Sequence, residues 1–147
     1  MKLLSLTHRH FVSKWASQFV ATGKNMKRWQ FCPHGYCPFC KDEDESTTHI
    51  LHCTHQDARD ISKETLWKFV ESMIKIGTCP RAVRAMRDET MFWRDNKDCP
   101  DISFLPEILQ FAIISQRQIG WRSFLKGLLS TDWTNYQQAY FEDIGSR

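Results

Sequence analysis

Apolar residues recur every third or fourth position along most of this chain, and no convincing stretch alternates apolar with polar. That period belongs to helices and not to strands. Phe11, Trp15 and Phe19 fall every fourth residue beside Val12, Ala16 and Val20, predicting a first helix from about Thr7 to Ala21 with one apolar face. Gly23 stands where a left-handed stop residue belongs. A short basic segment over 23–29 then leads into a cysteine-rich stretch at 32–55.

Ile61, Leu66, Phe69, Val70, Met73 and Ile74 form the stripe of a second helix over about 56–76, ended by Gly77. Pro80 suits the first position of a third helix over about 80–94, with Val83, Met86, Phe92 and Trp93 inward. After a polar turn at 96–100, Pro106 opens a fourth helix in the same way, carrying Ile108, Leu109, Phe111, Ala112, Ile113 and Ile114. Gly120 either breaks that helix or bends it before Trp121 and Phe124. Ser130, Thr131 and Asp132 are cap candidates for a last helix over about 133–144, with Trp133, Tyr136, Tyr140 and Ile144 at helical spacing. The expected fold is mostly α, a small helical domain with a CCHC zinc-binding turn–helix module in its N-terminal third. Its parts are a basic amphipathic helix and lead-in at 1–29, the module at 30–56, and a helical domain at 57–147.

Composition and charge sharpen this picture in two places. A length of 147 residues suits one domain or one with a small appended module, and six Trp with ten Phe supply enough apolar bulk for a core. The net charge of +3 hides an asymmetry: residues 1–41 hold seven Lys/Arg and no Asp or Glu, while the rest hold 13 basic and 17 acidic side chains. A basic first quarter suits an anionic partner, or equally a solvated helix face. The opening MKLLSLTHRH lacks the apolar core of a signal peptide, and no run approaches the roughly 18 apolar residues of a membrane span. An intracellular protein, nuclear or cytoplasmic and without a membrane partner, is therefore expected. In a reducing compartment its six cysteines read as metal ligands before bridges.

The chemistry concentrates at Cys37-Pro38-Phe39-Cys40, a polar stretch, then His49-Ile50-Leu51-His52-Cys53, a C-x2-C-x8-H-x3-C pattern. Two thiolates two residues apart grip one metal from a tight turn, and Pro38 stiffens it. His49 and Cys53, four apart, share a helix face and close a tetrahedral site, with Ser46, Thr47 or Thr48 as the helix cap. Cys32, His34, His52 and His55 also stand within reach, so spacing alone leaves open whether one of them replaces a member of the set. Cys79 and Cys99 lie in helix-flanking turns and read as ordinary. With Cys37, Cys40, His49 and Cys53 as ligands the expected cofactor is one structural zinc, because a catalytic zinc keeps an open position for water. Glu43 and Glu45, in the loop between the ligand pairs, are read as facing water.

The run CPFCKDEDESTTHILHC resembles the zinc-binding segment found after the polymerase domain in reverse transcriptase polyproteins of retroelements. The resemblance rests on Cys37-Pro38-Phe39-Cys40, on Glu45-Ser46, on His49-Ile50-Leu51 and on Cys53. The upstream KWASQFVATGKNMKRWQF is similar to the lead-in of such proteins, and QIGWRSFLKGLLSTDW to their downstream tail. It covers about residues 7–55, more loosely the remainder, and departs from the family where His49 and Cys53 are separated by three residues instead of four. No aspartate pair of the polymerase type is present, nor the carboxylates of the associated endonucleases. The resemblance thus implies a C-terminal remnant or separately encoded tail that binds and does not catalyse.

Two roles follow from the residues themselves. A nucleic-acid-binding module would use Lys24, Lys27, Arg28 and Trp29, with Phe31, Tyr36 and Phe39 nearby, to hold RNA or DNA with weak sequence specificity. Trp29 and Phe31 could equally be core residues covering the metal turn. The alternative is a structural or protein-interaction domain stapled by zinc, with Trp133, Tyr136, Tyr140 and Phe141 as a contact surface. An enzyme is disfavoured: there is no Ser/His/Asp arrangement, no phosphate-cradling Gly loop and no carboxylate pair that periodicity would bring together.

Overall fold

The structure, a computed structural model, describes residues 5–145; the first four residues, part of the stretch read above for a signal peptide, lie outside it. The described residues are mostly helical and hold no strand, only an isolated antiparallel bridge between Tyr36 and Asp44. The helices are α1 (Leu6–Ala16), α2 (Gly23–Arg28), α3 (Thr47–His52), α4 (Gln56–Lys75), α5 (Pro80–Arg94), α6 (Glu107–Ile119), α7 (Trp121–Phe124) and α8 (Asp132–Gly145). No described helix is long and apolar enough to cross a membrane. The chain divides within α4 into two compact units, Met1–Ile61 and Ser62–Arg147.

In the first unit α1 is capped by Ser5, whose hydroxyl accepts from the His8 N–H. It stops earlier than its apolar spacing predicts. Gln18 takes the left-handed conformation (φ 62°), and the Phe19 and Gln18 N–H groups donate back to the Lys14 and Trp15 carbonyls. The residue expected to stop the helix, Gly23, instead begins α2, which Thr22 caps through Asn25 N–H. Gly23 is needed for a different reason: a Cβ there would stand 2.7 Å from the Gly35 carbonyl oxygen. That contact is backbone to backbone, so no side chain can move aside to make room. The apolar face of α1 is real but uncovered within the unit. None of its residues is buried, Phe11 and Phe19 are more than half exposed, and the Phe11 ring stacks on Trp15.

The second unit carries the apolar core. Ala82 and Met86 of α5, Leu109, Ala112 and Ile113 of α6, Trp121 of α7 and Trp133 and Tyr136 of α8 bury against one another. Local signals place these helices. Gly77 (φ 91°) ends α4, with the Thr78 and Gly77 N–H groups donating to the Met73 and Ile74 carbonyls. Pro80 sits in the first turn of α5, where its missing N–H removes nothing. Pro106 stands one position earlier than expected, as the cap of α6 and not its first residue. Gly120 (φ 92°) breaks the helix and starts α7. Ser130 turns the chain into α8 by accepting from Asp132 N–H. The aromatics of α8, read as a contact surface, are largely spent on the core: Trp133 and Tyr136 are buried, Tyr140 packs against the core, and Phe141 alone of the four is half exposed.

Candidate metal centre

The first unit has almost nothing apolar to organise it, and the cysteine-rich loop shows what does. Cys37 N–H donates to the Glu43 carbonyl (2.7 Å), and Lys41 N–H donates to the Cys37 carbonyl (3.0 Å). Lys41, the residue after the second cysteine, adopts φ 61°, which turns the chain back on itself. Glu45 then fastens this loop to α2. Its carboxylate accepts from Gly23 N–H at 2.5 Å, its carbonyl from Lys24 N–H at 3.2 Å, and its own N–H donates to Gly35 at 2.6 Å. Ser46 caps α3 by accepting from His49 N–H at 3.0 Å, and Cys53 closes the helix as its C-terminal cap.

These turns bring four side chains together. The ligand atoms of Cys37, Cys40, His49 and Cys53 all lie within 4.8 Å of one another. Cys37 Sγ and Cys53 Sγ are 3.8 Å apart, and Cys40 Sγ is 3.3 Å from His49 Nε2. Two thiolates each about 2.3 Å from a tetrahedral zinc stand about 3.8 Å apart, so the donor set and its spacing fit a single metal ion. Cys37 and Cys53 are buried, while Cys40 and His49 are half-buried. The backbone N–H of Asp42, and then that of Glu43, point at the Cys40 sulfur and hold its pKa down to about 7 against some burial; such donors also stabilise a metal-bound thiolate. Burial pushes the Cys53 thiol up. For His49 burial acts to lower the pKa, but hydrogen bonds to Cys37, Glu43 and Cys40 together outweigh it and leave the value raised.

The four alternative ligands lie outside the group. Cys32 Sγ approaches the His34 carbonyl (3.1 Å), the His34 ring lies against Tyr36, and His55 lies against Phe39 with its Nδ1 3.8 Å from Asp57. His52 follows three residues after His49 on α3 and is not among the clustered side chains. Cys79 is buried in the core of the second unit and Cys99 is exposed.

Sequence reasoning missed the roles of the two loop glutamates. Glu45 joins the loop to α2, as above. Glu43, although 74% exposed, places Oε2 3.1 Å from His49 Nδ1, the ring nitrogen that faces away from the cysteines. A carboxylate there fixes the tautomer that offers Nε2 to a metal. Glu43→Ala should weaken metal affinity by about tenfold, the low end of the range for such partners because this carboxylate is solvated. Competition against a chromophoric chelator measures it, and unchanged affinity would mean that Glu43 merely faces water. Neither role leaves a periodic trace, because each depends on where the loop folds back.

Among the candidate nucleic-acid residues, Lys24, Lys27 and Arg28 are exposed on α2. Trp29, its C-terminal cap, is half-buried with its ring 6.1 Å from that of Phe19. Phe31 does not cover the metal turn: it is 73% exposed. Comparison with known protein families, with characterised proteins and with solved structures gives no match.

Proposed function

We propose that the first unit is a zinc-binding module whose single structural zinc is held by Cys37, Cys40, His49 and Cys53, and that it contacts nucleic acid through α2. The reading is carried by one observation: three sulfurs and one imidazole nitrogen converge at the spacing of tetrahedral ligands. Zinc is favoured over other metals because a Cys3His set with four protein donors suits a closed, redox-inert tetrahedral site. Supplied with such an ion, the loop gains the stabilisation that its polar residues cannot provide by burial.

Nucleic-acid contact is supported by the exposed Lys24, Lys27 and Arg28 beside Trp29, in a stretch of 41 residues with no acidic side chain. In this reading the module acts as a non-catalytic tail of the kind seen in retroelement reverse transcriptase polyproteins, which the CPFC…HILHC run resembles. A protein-interaction role is the second reading, favoured by the uncovered apolar face of α1.

Metal analysis of the purified chain should find one zinc per molecule, with Cys37→Ser, Cys40→Ser, His49→Ala and Cys53→Ser each losing it. Titration of the zinc-loaded chain with single-stranded RNA and DNA should show binding that falls with salt at a log–log slope of about −0.7 per phosphate contacted. Salt-independent binding, unmoved by Lys27→Ala or Arg28→Ala, would instead favour a protein partner.

A further inference from the structure

We propose that a pocket in the first unit, formed by the turn that follows α1, by α2 and by the start of α3, seats one unpaired nucleotide of single-stranded RNA or DNA. This deepens the nucleic-acid reading above and rests on it. The pocket has a volume of about 390 Å³, within the range of about 300–1,000 Å³ typical of small-ligand sites. Lys24 and Arg28 stand on its wall with Trp29 and Phe19, and none of its lining residues is acidic. Two larger pockets, both in the second unit, differ in that each includes the acidic Glu89, and one adds Asp88 and Asp101.

The chemistry divides along a nucleotide. Two cations neutralise phosphate, and an aromatic ring offers a stacking surface that any base can use. The bases of a duplex are already stacked on one another, so this seat selects an unpaired one. Thr22, Asn25 and Ser46 bring hydroxyl and amide groups to the wall.

The pocket is held open by bonds already described and by Asn25, whose Nδ2 donates to the Gln18 and Val20 carbonyls at 2.8 Å each. Its other wall, Ser46 to Thr48, immediately precedes the metal ligand His49, and Ser46 accepts from the His49 N–H. The pocket is thereby tied to the metal, and filling either site should favour filling the other. Lys27, on the same helix, does not line it.

The test uses the full zinc-loaded chain and fluorescence anisotropy of a labelled oligothymidylate, with zinc content checked in every variant. Trp29→Leu should weaken binding by about tenfold, the effect of losing one stacked base, and Trp29→Phe should restore most of it. Lys24→Ala and Arg28→Ala should each reduce the salt slope by about 0.7. Lys27→Ala should weaken binding much less than Arg28→Ala, and a matched duplex should bind less tightly than the single strand. If the chain binds oligothymidylate but Lys24→Ala, Arg28→Ala and Trp29→Leu behave like Lys27→Ala, the pocket assignment is overturned and the nucleic-acid reading survives. If the wild-type chain binds no single strand even at low salt, both fall together.

Discussion

Cys37→Ser or Cys53→Ser should melt α1, α2 and α3 while leaving α5, α6 and α8 folded. The reason lies in what the first unit buries. Among the described residues its buried apolar cluster consists of Cys37, Cys53 and Ala58, with Cys40 packed alongside, so three of these four belong to the candidate metal-binding group. An alanine and a few thiols supply little hydrophobic stabilisation, on the order of 0.8 kcal/mol for each buried methylene-sized group. The helices cannot stand by themselves either. They run 11, 6 and 6 residues, below the roughly 12–15 that an isolated helix needs in water. Structural zinc contributes about 10–16 kcal/mol in small zinc peptides at neutral pH, enough to organise such a unit. Its removal, by mutation or by chelator, should therefore unfold that part outright.

The second unit has its own core of leucine, isoleucine and tryptophan. Hydrogen exchange followed residue by residue should show protection lost across 5–55 and kept in α5, α6 and α8. Far-UV circular dichroism should fall by only the share of helix held in α1 to α3. A metal-free chain that keeps those three helices would show that the metal has no structural role. Simultaneous loss of protection in both units would show that they fold as one.

The largest effect on the second unit should come from Arg117→Met. Glu89 of α5 is 3% exposed, and both its oxygens accept from Arg117 of α6, from Nε at 2.8 Å and from Nη2 at 2.6 Å. The same guanidinium donates to the Pro100 carbonyl at 2.9 Å, so it also holds the connection between the two helices. Removing the arginine leaves a buried carboxylate without its partner, which destabilises by about 3–5 kcal/mol. That is a large share of the roughly 5–15 kcal/mol by which a domain is stable. The double variant Glu89→Leu with Arg117→Met should recover most of the loss, because no charge then remains to be solvated. Urea unfolding of the two single variants and the double variant measures this directly. A loss near 1 kcal/mol for Arg117→Met would place the pair with ordinary surface ion pairs.

Several features were legible in the sequence because their causes are local. Gly77 ends α4 since a left-handed residue without a Cβ can sit there unstrained, and Pro80 opens α5 since it lacks only an N–H that the first turn does not use. The spacing of Cys37, Cys40, His49 and Cys53 was readable for a similar reason. A two-residue turn and a helical i, i+4 pair each put two candidate ligands side by side through backbone geometry alone. Where a stop was misplaced, the cause was also local but permissive: Gln18 tolerates the left-handed conformation that its neighbourhood demands, and no glycine announced it.

The tertiary structure alone decided everything that depends on residues far apart in the chain. Gly23 is required because Gly35 crosses it, and Glu45 matters because the loop returns its carboxylate to the start of α2. Arg117 finds Glu89 only after α5 and α6 have packed. The apolar spacing of α1 correctly marked a face but carried no information on whether anything covers it, whereas the same kind of spacing in α8 marked a core. Periodicity reports which side chains point the same way; burial is set by the partner surface, which has no local signature.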